Sequence, residues 1–255
     1  MELAFKDHGG NGSDLLILHG LFGSSKNWAT AAGKLTDLAH VVALDMRNHG
    51  DSGHADTHTL DDMVEDVEQF SAHRQLSRPI LMGHSMGGMA AMAHAFKYPH
   101  STRALVIVDI APKKYDPHHD NEFAALNVDV SSMGSREEVD KAMSEFVADA
   151  NTRQFLQMNL DHKDGGGYQW KLNVPVLEQS GYITEWDKAG GAYPGPALFV
   201  IGGKSDYVQD ADHENIRKLF PEAIIEVIPD GNHWLHFSAA DEFLKIVSGF
   251  LSRVV

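Results

Sequence analysis

The sequence predicts an α/β fold: a mostly parallel sheet flanked by helices, with one inserted helical segment. Three observations carry this. Short apolar runs alternate with amphipathic stretches, which is the pattern of successive βα units. That rhythm breaks after Asp109 and returns only at Ala197, a gap of about eighty residues, too long for an ordinary βα connection. The chain has 255 residues, a length that suits one such domain carrying an insertion.

The elements follow in order. Leu15-Leu16-Ile17-Leu18 is an uninterrupted apolar run and reads as a buried strand. Trp28 to Leu38 reads as a helix, and Val41-Val42-Ala43-Leu44 as a second buried strand. Leu60, Val64, Val67 and Ser71 recur at helical spacing, so that segment lays one face on the sheet. Ile80-Leu81-Met82 is a strand, followed by a helix that begins near Met86 and ends before Tyr98-Pro99. Leu105 to Val108 forms the next strand and stops at Asp109. Between Pro112 and Pro194 no strong strand is expected. Amphipathic pieces, foremost Glu137 to Asn151, are interrupted by Gly165-Gly166-Gly167. This span is expected to be a helical cap over the carboxyl ends of the strands, where open α/β sheets bind ligands. Strands at Ala197–Ile201 and Ile224–Ile228 and helices near 211–220 and 241–253 complete the pattern. The expected division is a core of residues 1–111 and 195–255 with a cap of residues 112–194.

Composition narrows the function classes. A formal net charge of −15 opposes binding to a phosphate backbone and to anionic membrane surfaces. The absence of cysteine removes disulfides, thiolate metal sites and a thiol nucleophile together. No apolar run approaches the roughly 18–20 residues that span a bilayer. The first ten residues, MELAFKDHGG, lack the basic start and apolar stretch of a signal peptide, so a cytoplasmic location is expected. Of the 16 histidines, the densest run is His118-His119-Asp120, which reads as solvated surface rather than a metal site.

Gly83-His84-Ser85-Met86-Gly87 fits G-x-S-x-G between a strand and a helix. That context marks Ser85 as a nucleophile on a sharp turn, with the Met86 N–H aimed at a developing oxyanion. His19-Gly20-Leu21-Phe22-Gly23 follows the first buried strand, and its Leu21 N–H, or that of Phe22, is the expected second oxyanion donor. Gly231-Asn232-His233-Trp234 lies between the last strand and the last helix. A serine hydroxyl needs an adjacent base, and the chain order of this arrangement makes that base His233. His236 is read as structural or at the rim. Phe22 and Trp234 flank the pair as candidate substrate-binding residues. The group orienting His233 has three contenders, Asp109 at a strand end, then Asp206 and Ser205 in Gly-Gly-Lys-Ser-Asp-Tyr-Val. Asp109 ranks first because its apolar neighbours bury it beside the same crevice. Asp45-Met46-Arg47-Asn48-His49-Gly50-Asp51-Ser52 is read as a polar network bracing the nearby loops.

HGLFGS at 19–24, DMRNHG at 45–50, GHSMGG at 83–88, VDIAP at 108–112, NVPVL at 173–177 and GNHW at 231–234 together resemble the YbfF-type esterases. These are capped members of the α/β-hydrolase fold, and the likeness runs over nearly the whole chain. It implies carboxylesterase activity on short- to medium-chain acyl esters, with acyl-CoA thioesters as a further class. It also implies a nucleophile at Ser85, its histidine at His233, no metal and no organic cofactor, and a small-molecule substrate as the partner. The family carries a serine at the position of Ser205 where an acid is usual. This sequence departs from it at Asp206, where such chains tend to have proline. Ser85 on the elbow speaks against dehalogenases and epoxide hydrolases, which place aspartate there. A cofactor-free perhydrolase or haloperoxidase and a non-catalytic, ligand-sensing protein are the rival readings.

Overall fold

The computed structural model describes residues 1–255. Its centre is a seven-stranded sheet of β1 (Phe5–Gly9), β2 (Asp14–Leu18), β3 (His40–Leu44), β4 (Ile80–His84), β5 (Ala104–Val108), β8 (Ala197–Gly202) and β9 (Ala223–Ile228), with β6 and β7 in the insertion. The order across the sheet is β1-β3-β2-β4-β5-β8-β9. Only β1 runs antiparallel, pairing with β3 from Phe5↔Leu44. The central strands are covered on both faces, so they are apolar throughout rather than alternating. Leu16 and Leu18 point into one core layer, Leu15 and Ile17 into the other. All four are fully buried, each contributing about 1.5–3 kcal/mol of burial.

The helices are α1 (Ala29–Leu35), α2 (Leu60–His73), α3 (Met86–Lys97), α9 (Asp212–Leu219) and α11 (Ala240–Val254) in the α/β frame, with a short α10 (Leu235–Ser238). Thr59 caps α2 by accepting the Asp62 N–H at 3.1 Å, while the Asp62 carboxylate accepts the Thr59 N–H at 3.1 Å. Two details depart from the sequence reading. A 3₁₀ turn (Ser25–Trp28) precedes α1, which ends at Leu35 rather than Leu38. The edge strand β1 was not foreseen, because FKDHG is mostly polar and its face is solvated.

Residues 112–194 form α4 (Asp120–Leu126), α5 (Arg136–Met143), α6 (Ala150–Gln157), the hairpin β6 (Leu160–His162) and β7 (Tyr168–Trp170), then α7 (Val174–Glu178) and α8 (Trp186–Ala189). The amphipathic span from Glu137 to Asn151 is not one helix. Asp149 accepts the Thr152 N–H at 2.7 Å, and this N-cap starts α6 afresh. The small hairpin was also missed, its strands being three residues each. The insertion has its own apolar cluster, including Val139, Met143, Leu156 and Leu177, and Phe22 from the loop after β2 packs into it. Two asparagines fasten the insertion to the frame: Asn159 Nδ2 donates to the Phe22 carbonyl at 2.7 Å, and Asn173 Nδ2 to Asn48 Oδ1 at 3.0 Å. No helix is long and apolar enough to cross a membrane.

Candidate active site

Three strand ends converge. Ser85 stands between β4 and α3 with φ 49° and ψ −115°, a left-handed backbone that a non-glycine residue adopts only when its surroundings impose it. The imposition is steric. A Cβ on Gly83 would lie 2.2 Å from the Gly87 carbonyl oxygen, and one on Gly87 would lie 2.3 Å from that of Leu18. Glycine at both places lets the strand and helix close the turn. The Ser85 N–H is held by the Val108 carbonyl at 3.1 Å, which ties the elbow to the end of β5.

One residue past β5, Asp109 is fully buried and also left-handed, with φ 50°. Its Oδ1 accepts the Gly202 N–H at 2.8 Å and its Oδ2 accepts from His233 Nδ1 at 2.7 Å. The Ser205 hydroxyl makes a short hydrogen bond to the same Oδ2. Asp109 is thus the carboxylate that holds the imidazole, and Ser205 holds Asp109 rather than His233. Asp206 is exposed and its carboxylate makes no contact with the histidine; its carbonyl accepts from Gln209 Nε2 at 3.1 Å. The Asp109 hydrogen bond fixes the proton on Nδ1 and leaves Nε2 free to accept.

Ser85, His84 and His233 line one cavity of about 210 Å³ with Leu21, Phe22 and Trp234. The Ser85 hydroxyl is not hydrogen-bonded to the imidazole in this conformation; such contacts are often long before substrate binds. No acceptor in the fold takes the Leu21 N–H. Met86 is the first residue of α3, so its N–H has no partner within the helix. Phe22 is different: its N–H goes to His49 Nε2 at 3.3 Å. Of the two donors that the loop offered, only that of Leu21 is free.

Neutral histidines brace these loops. His19 Nδ1 donates to the Gly20 carbonyl at 2.8 Å and its Nε2 accepts the Met46 N–H at 2.9 Å. His49 Nδ1 donates to the Arg47 carbonyl at 2.8 Å. Burial holds His19 below the ordinary histidine range, and His49 well below it. The segment from Asp45 is the polar network that the sequence suggested. Asp45 accepts the N–H groups of Ser25 and Asp51 at 2.6 and 2.8 Å, and Arg47 pairs with Asp66 at 2.6 Å.

Several residues were missed. His84, inside the elbow motif itself, donates from Nε2 to the His233 carbonyl at 2.8 Å, and burial keeps it neutral. The Tyr207 ring stacks on the His233 ring, 3.8 Å between centroids and 11° between planes. The Tyr207 hydroxyl donates to His118 Nε2, whose Nδ1 donates to the Asp116 carbonyl at 2.7 Å. His118 and Asp120 are exposed, as the sequence reading had them, while His119 is half-buried; His118 and His119 line the mouth of the cavity together with Glu122. His236 is structural, stacked on Trp28 at 4.1 Å. No cluster of histidine, aspartate and glutamate has the arrangement of a metal site.

Fold and site define a hydrolase, and comparison with known proteins gives its family. The model described as alpha/beta hydrolase fold matches residues 15–240. The esterase YbfF of Escherichia coli K12 is 34% identical over 245 residues, 95% of this chain and 94% of that one. The mouse sn-1-specific diacylglycerol lipase ABHD11 is 36% identical over 248 residues, 93% of this chain and 80% of that one. A solved marine microorganism esterase is 36% identical, with a TM-score of 0.91 over 98% of this chain and 99% of that one. The chain belongs to the α/β-hydrolase family, in its YbfF-like branch, and is a hydrolase of the carboxylic-ester class.

Proposed function

We propose that the protein is a serine carboxylesterase acting on short- to medium-chain acyl esters through an acyl-enzyme on Ser85. The observation that carries this is the hydrogen bond of 2.7 Å from His233 Nδ1 to buried Asp109, in a cavity that also holds Ser85. Neutral His233 takes the Ser85 proton at Nε2 as the hydroxyl oxygen attacks the ester carbonyl. The imidazolium that forms keeps its Nδ1 proton on Asp109, which offsets the new charge. The N–H groups of Leu21 and Met86 donate to the carbonyl oxygen as it becomes an oxyanion. The imidazolium then protonates the leaving alcohol. Water repeats the sequence on the acyl-enzyme, releasing the acid and Ser85. Residues 112–194 act as a cap whose apolar side chains, Phe155 and Leu156 among them, line the cavity and set acyl preference. The substrate is a small molecule, and the acidic chain works without a nucleic acid or membrane partner.

The test is hydrolysis of p-nitrophenyl butyrate by wild type, Ser85→Ala and His233→Ala. Each variant is expected to lose at least about 10³-fold in kcat with the circular dichroism spectrum unchanged. A variant retaining a tenth of the wild-type rate would sink the assignment.

A further inference from the structure

One wall of the cavity carries polar side chains that neither the fold nor the proposed mechanism uses. His119 and Glu122, one turn apart at the start of α4, face the same space as Ser85. His119 Nδ1 and Glu122 Oε2 are 3.8 Å apart, too far for a mutual hydrogen bond. Neither side chain hydrogen-bonds to any other protein group, whereas His84, His118 and His233 in the same cavity are all engaged. Both are about three-quarters buried. Burial pushes His119 down to about 3, so its imidazole is neutral and offers one N–H and one acceptor nitrogen. The Glu122 carboxylate offers acceptors only. A polar pair left open inside a reaction cavity discriminates between substrates, because a ligand that cannot pair with it leaves it desolvated.

The position of the pair says which part of an ester it meets. His118 packs on His119 at 4.2 Å between ring centroids, and His118 holds Tyr207, which stacks on His233. The pair therefore belongs to the wall beside the general base. His233 must reach the leaving oxygen to protonate it, so the alcohol portion of the ester departs along that wall. Phe155, Leu156 and Trp234 give the same cavity an apolar surface that suits the acyl portion.

We propose that His119 and Glu122 form a hydroxyl-recognition subsite that selects esters whose alcohol portion carries a free hydroxyl, as in partial esters of diols and polyols. The substrate O–H donates to Glu122, and its oxygen accepts from the His119 N–H. A carboxylate or phosphate on the alcohol meets the Glu122 charge instead and is disfavoured. This inference rests on the esterase reading above and names the substrate class within it.

The experiment compares 2-hydroxyethyl butanoate with propyl butanoate, which differ by a terminal hydroxyl in place of a methyl. Each kcat/KM is divided by the ester's own alkaline hydrolysis rate, and the ratio is taken within each protein variant. A general loss of activity then cancels. Wild type is expected to favour the hydroxyl ester about tenfold, the size of one net hydrogen bond. Glu122→Leu and His119→Phe are each expected to bring the ratio to about one. A wild-type ratio under about two, or a preference that persists in both variants, overturns the subsite. Failure of the esterase reading would be visible separately, as turnover of both esters by Ser85→Ala at the wild-type rate.

Discussion

The cavity has a floor and a roof built on opposite principles. The floor comes from the ends of β2, β4, β5 and β8, where side chains are locked. Ser85, Asp109 and Phe22 hold left-handed backbone angles of 49°, 50° and 64°, and their polar neighbours are engaged in hydrogen bonds. The roof comes from the insertion, whose cluster packs on itself and leaves His119 and Glu122 open. The sheet over-determines the strained residues of the floor, whereas the roof contributes no left-handed non-glycine residue. The difference teaches where change is tolerated. On the proposed function, the floor fixes a reaction and the roof selects what reacts.

Substitutions in the two regions should therefore differ in kind. Outside the nucleophile and base themselves, the largest effect is expected at the buried carboxylate. Asp109→Asn should lower kcat by about 10²–10⁴-fold, the cost of an unheld tautomer. Ser205→Ala removes one hydrogen bond to that charge and should cost on the order of tenfold. Asp206→Asn should stay within about twofold, as an exposed surface change does. If Asp206→Asn collapses instead, the floor has been assigned to the wrong carboxylate. In the roof, Phe155→Ala should change the ratio of kcat/KM on octanoate to that on acetate by about tenfold, within the 1–3 kcal/mol a methylene-sized mismatch carries. Equal losses on both esters would erase the distinction between floor and roof. A modest effect is expected where the two regions touch. Tyr207→Phe keeps the stacked ring and should be nearly silent, while Tyr207→Leu should lower kcat about two- to tenfold, the worth of an aromatic pair. A larger loss in Tyr207→Phe would mean that the His118 hydrogen bond, not the stack, holds His233.

Legibility in the sequence followed the same division. Strands buried on both faces appear as unbroken apolar runs, so β2, β3, β4, β5 and β8 were found within a residue or two. The elbow was readable because its strand, glycines and helix are contiguous. Asp109 could be ranked first from its place at a strand end, although nothing local reveals that Ser205 turns its hydroxyl to that carboxylate rather than to the imidazole. The edge strand β1 carried no signal, since its exposed polar residues look like a loop. The contact of exposed His118 with the site was illegible for a different reason. Its partner Tyr207 lies 89 residues away, and no periodicity links the start of an insertion to a loop after β8. The splitting of 137–151 into two helices turned on a single cap at Asp149, which a helical stripe of apolar residues does not register.

The histidines that stiffen the floor also make the protein answerable to acid. His19, His49, His58, His84 and His236 are all held neutral by burial, with His58 and His236 pushed down to about 3. In the unfolded chain each would take up a proton near 6.5. Their neutral state thus supports stability that is complete above that pH and is lost as the pH falls from it toward the folded values. Each such group tilts the folding equilibrium by about 1.4 kcal/mol per pH unit in that window. His58 and His236 alone amount to about 3 kcal/mol per unit, a large share of the stability of a typical domain at about 5–15 kcal/mol, and the other three add in the same direction. Unfolding on acidification should accordingly be abrupt, centred between about pH 4 and 6, with uptake of several protons. Urea titrations across that range would measure it, and a midpoint that barely moves would mean the imidazoles are not buried neutral. The same side chains that hold the oxyanion loop in register would then act as a built-in limit on the acidity the molecule survives.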